Sequence, residues 1–139
     1  MKDVIERLIS EYEEKGDFTY SVPSIDMLTE AEKKLGFKIP SEFLWFLKKY
    51  GHGGIGGIEV LGNTKNMILA FEIETIKYRK YGLPENLLVI ENCDEWLYCI
   101  DIHTNKIIMW SQNQGASEPC YNSFFEYLLD RMKDIIENM

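Results

Sequence analysis

Helical periodicity at both ends of the chain and three short apolar runs between residues 87 and 110 predict an α+β fold. In that fold a central, mostly antiparallel sheet has helices packed at one side. No internal repeat, low-complexity tract or linker interrupts the sequence, so residues 1–139 read as a single domain. At 139 residues and 16.3 kDa the chain is long enough to bury one sizeable core.

The elements follow in order. Residues 3–15 carry Val4, Ile5, Leu8, Ile9 and Tyr12 on one helical stripe, with Asp3 as N-cap and Glu6 three residues later. Gly16 and Asp17 turn the chain into an extended Phe18-Thr19-Tyr20. Pro23-Ser24 then opens a second helix whose apolar positions are Ile25, Leu28, Ala31 and Leu35 and whose stop is Gly36. A third helix starts at Pro40, whose missing N–H and fixed φ suit a first helical position. Phe43, Leu44, Trp45, Phe46, Leu47 and Tyr50 make it apolar nearly all round, as a core element is. It ends at Gly51, and the glycines from Gly53 to Gly57 predict a tight loop with positive φ angles.

From there the period changes. Residues 58–61 read as a short strand, 67–71 as a second extended piece, and 72–81 as a helix stopped by Gly82. Residues 87–91, 96–102 and 106–110 suit an antiparallel meander, given their lengths and short polar connectors. Ser123 and Glu126, at capping-box spacing, start a last helix bearing Phe124, Phe125, Leu128, Leu129, Met132, Ile135 and Ile136.

Composition narrows the function classes. Hydrophobic residues make up 45% and charged residues 27%, which excludes disordered and collagenous chains. Fifteen Lys and Arg against 23 Asp and Glu give a formal charge of −8, which disfavours direct nucleic-acid binding and favours a basic partner. No run approaches the roughly 20 apolar residues of a membrane span. The first residues carry charges where a signal peptide is apolar, so the expected setting is cytoplasmic, with no membrane partner. Cys93, Cys99 and Cys120 form no C-x-x-C pair and read as reduced thiols; on one strand, Cys93 and Cys99 would lie about 20 Å apart.

Enzyme and cofactor signatures fail. The glycine-rich loop follows a helix and lacks the Lys-Ser/Thr pair of a P-loop, and neither His52 nor His103 has a partner at metal-ligand spacing. No catalytic set, metal site or cofactor is therefore expected. Glu91, Asp94, Glu95 and Asp101 are close in sequence and would serve a small acidic hydrolase only as a pair across a cleft. The charge pattern says more. Between Tyr81 and Asn105 stand five acidic residues, Glu85, Glu91, Asp94, Glu95 and Asp101, and no Lys or Arg. With Trp96, Tyr98 and Trp110 beside them, they read either as a negatively charged protein-binding face or as a solvated sheet over a core of aromatics.

One further pattern is a resemblance. Ile39-Pro40-Ser41-Glu42-Phe43-Leu44-Trp45-Phe46-Leu47-Lys48-Lys49-Tyr50-Gly51, leading to Gly53-Gly54 and Glu59-Val60-Leu61-Gly62, resembles the SUKH superfamily in its branch related to yeast cell-wall assembly regulators. Leu83 to Ile90, Asp94 to Asp101, Ile107 to Trp110 and Ser123 to Leu128 follow the same family order of strand, acidic turn, strand ending in Asp, strand and closing helix. The resemblance covers roughly residues 24–132 and departs at Cys93-Asp94, where many relatives have Gly-Asp. It implies an α+β, SUKH-like fold and a bacterial immunity protein that binds and neutralises a cognate polymorphic toxin without chemistry. A basic toxin domain is the expected partner, with a nuclease as the expected class. The family supplies no catalytic set. The candidate partner-binding residues are therefore drawn from charge: Glu91, Asp94, Glu95 and Asp101, with Trp96 as apolar anchor and Glu59 as an outlier. The alternative is a regulatory protein-binding module unrelated to a toxin.

Overall fold

The three central apolar runs form an antiparallel meander in the computed structural model, which describes residues 1–139. Strands β1 (Leu87–Asn92), β2 (Leu97–Asp101) and β3 (Ile107–Ser111) pair in sequence order, and a two-residue β4 (Gly115–Ala116) extends the sheet. Val89 stands opposite Cys99, and Leu97 opposite Trp110. A bulge between Val89 and Glu91 shifts the register so that Glu91 faces Tyr98.

Around the sheet lie α1 (Lys2–Tyr12), α2 (Ile25–Leu35), α3 (Ser41–Lys49), α4 (Ala70–Arg79) and α5 (Phe124–Glu137). The expected caps form. Ser24 Oγ accepts from the Met27 N–H, Gly36 closes α2 in the left-handed conformation, and Ser123 Oγ accepts from the Glu126 N–H. Asp3 is not a cap: Lys2 is already helical, so Asp3 sits in the first turn, where its charge meets the positive end of the helix dipole.

A cluster of 32 buried residues joins helices and sheet in one core. Phe43 of α3 meets Phe71 of α4 at 5.2 Å and Phe124 of α5 at 5.5 Å, both edge to face. The helices do more than cover one side. Tyr98 turns its ring to Tyr127 of α5 at 5.2 Å. Its neighbour Leu97 points the opposite way with its partner Trp110, whose ring lies 6.2 Å from Tyr78 of α4. With a helix on each face, β1 and β2 are buried along nearly their whole length. The outer edge of β1 is closed as well, because the Ile90 carbonyl accepts from the Leu61 N–H and the Val89 N–H donates to Thr75 Oγ1.

Residues 58–61 are not a strand. Val60 and Gly53 exchange both backbone hydrogen bonds, but Gly51 and Gly53 have positive φ and turn the partner segment away, so the ladder stops at one bridge. The two backbones also touch: a Cβ at Gly62 would lie 1.8 Å from the Gly51 carbonyl oxygen. Residues 67–69 likewise form only the Asn63–Leu69 bridge, because Met67 takes a positive φ, and Ala70 and Phe71 already belong to α4.

The bulge delivers one charge into the core. Glu91 is only 4% exposed. Tyr127 Oη donates to its Oε1 at 2.6 Å, and Arg131 donates from Nε at 3.2 Å and from Nη2 at 2.5 Å. The same guanidinium lies 5.4 Å from the Tyr98 ring centroid. Burial, and then the Glu91 charge, hold the Tyr127 phenol protonated well above its ordinary range.

Removing one member of such a group leaves a buried charge or donor unmatched. Urea unfolding of Glu91→Ala is expected to show a loss of about 3 kcal/mol, the Arg131 side being partly solvated, and Tyr127→Phe a loss of about 1 to 2 kcal/mol.

Candidate functional site

Pairing of Leu97 with Trp110 sets two connections side by side at one end of the sheet: the β1–β2 turn, residues 93–96, and the β3–β4 hairpin tip, residues 112–114. The turn is tightly held. The Cys93 N–H donates to the Trp96 carbonyl at 2.9 Å, and the Asp94 N–H donates to Asn92 Oδ1 at 2.8 Å. Asp94 adopts φ 66°, a left-handed conformation that Asp tolerates better than most side chains. Cys93 is not among the positive-φ residues, so the turn needs no glycine there.

Between turn and hairpin runs a groove of about 620 Å³. Asp94, Glu95 and Trp96 line it on the turn side and Ser111 to Gln114 on the hairpin side, with Tyr78, Leu97, Met109 and Trp110 between them. Its lining contains no Lys, Arg or His. Asp94 and Glu95 are exposed and take part in none of the seven ion pairs of the protein. Trp96 is half-buried, its ring edge-on to Tyr98 at 6.2 Å, and its indole Nε1 is buried. The hairpin wall offers amides and a hydroxyl and no carboxylate, so Asp94 and Glu95 do not face a second acid across the groove as a glycosidase pair would.

The remaining candidates lie elsewhere. Glu91 is not a surface contact: it is buried, and Tyr127 and Arg131 occupy both of its oxygens. Asp101 is at the other end of β2, about 20 Å from the Asp94–Glu95 turn by the rise of an extended strand. There it accepts from Asn86 Nδ2 and the His103 N–H, both at 3.0 Å, and shapes the β2–β3 turn. Glu59 is in the loop beside the β1 edge, 3.0 Å from His52 Nε2. His52 Nδ1 accepts from the Gly62 N–H at 2.9 Å, so this imidazole braces the loop. Glu85 pairs with Arg79 at 3.4 Å. The five acids therefore do not make one face. Asp94 and Glu95, with Trp96, are the ones brought together, while Tyr98 and Trp110 are core residues.

Sequence reasoning missed the other half of the groove. Tyr78 and residues 111–114 carry no charge signal, and only the strand register reveals that they face the acidic turn. It also placed Ile25 in a helical apolar stripe, whereas Ile25 is 82% exposed; exposed Met67 and Ile68 line a second groove beside α2. Cys93 and Cys99 do not share a strand: Cys93 is in the turn, Cys99 is buried in β2, and Cys120 is exposed. No group of three His, Cys, Asp or Glu is placed to hold a metal ion, and no helix is long and apolar enough to cross a membrane.

A protein-family model described as SUKH_5, SMI1-KNR4 cell-wall, matches residues 1–133. Among solved structures, the crystal structure of a protein from Pseudomonas syringae pv. tomato is similar, with a TM-score of 0.75 and 24% sequence identity. That likeness spans 94% of this chain and 96% of the other and is one of fold.

Two measurements check the turn. Because Asp94 is left-handed, Asp94→Asn should leave stability within about 0.5 kcal/mol, while the β-branched Asp94→Val should lower it by about 1 to 2 kcal/mol. Burial, and then the Glu91 charge, push the Cys93 thiol up to about 11, so little thiolate exists near neutrality. Iodoacetamide should therefore label Cys93 about 100-fold more slowly than a free cysteine at pH 8, with the rate rising as pH climbs toward 11.

Proposed function

The chain belongs to the SUKH_5 family, described as SMI1-KNR4 cell-wall, and from that membership we propose that it is a bacterial immunity protein that binds and neutralises a cognate polymorphic toxin. It acts without chemistry, in the cytoplasm, by protein–protein association. The observation that carries this reading is the open end of the sheet, where two unpaired carboxylates and a half-buried tryptophan border a groove without any cationic residue. The net charge of −8 gives long-range attraction to a basic partner, and Asp94 and Glu95 give that attraction a place to land. A nuclease toxin fits this chemistry, because its substrate site is basic and carboxylates can occupy positions that phosphates would otherwise take.

A regulatory module that recruits some other protein is the second reading. The exposed Val22, Ile25, Met67 and Ile68 favour it, since they suit an apolar rather than a basic partner.

Co-expression with the toxin domain encoded beside the gene tests the proposal through cell survival and co-purification. Rescue with a stable complex is expected. Asp94→Asn with Glu95→Gln should slow association roughly 10-fold and flatten its dependence on salt, with the fold intact. Absence of rescue and of a complex overturns the immunity reading.

A further inference from the structure

We propose that the exposed side of α2, with the apolar turn beside it, docks a second copy of this chain across a two-fold axis, the two α2 helices running antiparallel. The inference stands apart from the immunity reading and uses none of the residues that line the groove at the end of the sheet.

The order of charge along the helix selects the occupant. Ile25, Asp26, Thr29, Glu30, Lys33 and Lys34 are all exposed, and their spacing puts them on one side of α2, opposite the buried Ala31 and Leu35. The two acids stand in the N-terminal half of that stripe and the two lysines in the C-terminal half. Such a surface is complementary to itself when turned end for end: a two-fold axis across the middle of α2 brings Asp26 and Glu30 of each copy to Lys33 and Lys34 of the other. A uniformly basic partner meets the lysines and a uniformly acidic one meets the carboxylates. Within one chain these groups are only loosely engaged, Lys33 with Glu30 at 3.5 Å and Lys34 with Glu72 at 4.0 Å, both lysines being largely in solvent.

Acids before lysines also suit the helix dipole, so the charges alone ask for no partner. The apolar residues flanking them do. By helical spacing Ile25, 82% exposed, lies at one edge of the stripe. Along the other edge runs the groove of about 440 Å³ that Asp26, Glu30 and Lys34 share with exposed Met67 and Ile68. Turn tips are ordinarily polar, yet this one holds Met67 at φ 58°, a left-handed conformation that a long side chain keeps only under constraint. The constraint is a set of hydrogen bonds. The Met67 N–H donates to the Thr64 carbonyl and the Thr64 N–H to the Ile68 carbonyl, both at 3.0 Å, and Nδ2 of the buried Asn63 donates to Met67 Sδ at 3.4 Å. A fixed turn that presents two apolar side chains to solvent loses little entropy when another surface covers them. The contact is of the small, transient class, which places association near about 100 μM chain.

Sedimentation velocity of the full chain tests this, from about 10 μM to about 1 mM and at about 0.15 M salt, where the net charge of −8 on each copy is screened beyond about 8 Å. The expected result is a reversible shift from 16.3 kDa toward twice that mass as concentration rises. Ile25→Asp alters a side chain that faces solvent, so it should weaken association about 10-fold or more while the circular-dichroism spectrum stays the same. Lys33→Glu with Lys34→Glu makes the stripe acidic throughout, and Asp26→Lys with Glu30→Lys makes it basic throughout. Each of these variants alone should be monomeric. Mixed in equal amounts they should pair one to one, a rescue that also shows both to be folded. A chain that is monomeric at every concentration overturns the proposal, and so does a dimer that persists in Ile25→Asp and in both charge variants. Failure of the mixture to pair contradicts the antiparallel docking and overturns it too. A chain that stays monomeric while the proposed toxin partner protects the α2 amides from exchange gives this face to that partner, again against the proposal.

Discussion

The bidentate contact between Arg131 and the buried Glu91, completed by the Tyr127 hydroxyl, is the constraint on which the rest of the structure depends. A buried carboxylate is tolerable only if its charge and both oxygens are matched. Matching them fixes α5 over β1, sets the bulge that aims Glu91 inward, and seats the guanidinium on Tyr98. The start of α5 is fixed independently: Glu42 of α3 accepts from the Phe125 N–H at 2.9 Å, and Ser123 caps the first turn. The last helix is thus tied to α3 at its N-terminal end and to the sheet farther along. Asp94 lies three residues after Glu91, so the turn that borders the groove hangs from the most strongly held point of β1.

This arrangement also decides what the acidic composition can do. Five acids in one stretch suggest a broad negative face, but three of them have partners within the chain: Glu91 in the core, Glu85 at the surface against Arg79, and Asp101 in the far turn. Two carboxylates remain together without a counter-ion at one end of the sheet, beside the half-buried Trp96. A small, rigid site with unmet polar groups discriminates between partners more sharply than a diffuse charge does, because a wrong partner leaves those groups desolvated and unpaired. Under the proposed function, net charge serves mainly to bring a basic partner close.

Much of this was legible in the sequence because it is local. Pro40 and the apolar residues after it marked α3, Ser24, Gly36 and Ser123 marked helix ends, and the three runs from Leu87 to Trp110 marked the meander. The family order of those segments was visible for the same reason. What was not legible depends on pairing across distance. Arg131 lies 40 residues from Glu91, so nothing near Glu91 announced that it was a core residue. The wall formed by residues 111–114 carries no charge or periodicity and acquires meaning only from the register that sets Trp110 against Leu97. Residues 58–61 have the apolar content of a strand, but their ladder partner is a glycine loop that turns away, a tertiary fact with no local sign. Ile25 fits a helical stripe by spacing, yet it sits in the first turn, beyond the surface that α2 buries through Ala31 and Leu35.

The central claim is that the partner lands on the open end of the sheet and not on the helices. Hydrogen–deuterium exchange of the complex with the proposed toxin partner, compared with the free protein, tests it most directly. The account predicts new protection in residues 92–97 and 109–116, with α1 and α2 unchanged. Protection confined to α2 and the segment around Met67, with both walls of the groove exchanging as in the free protein, would contradict it.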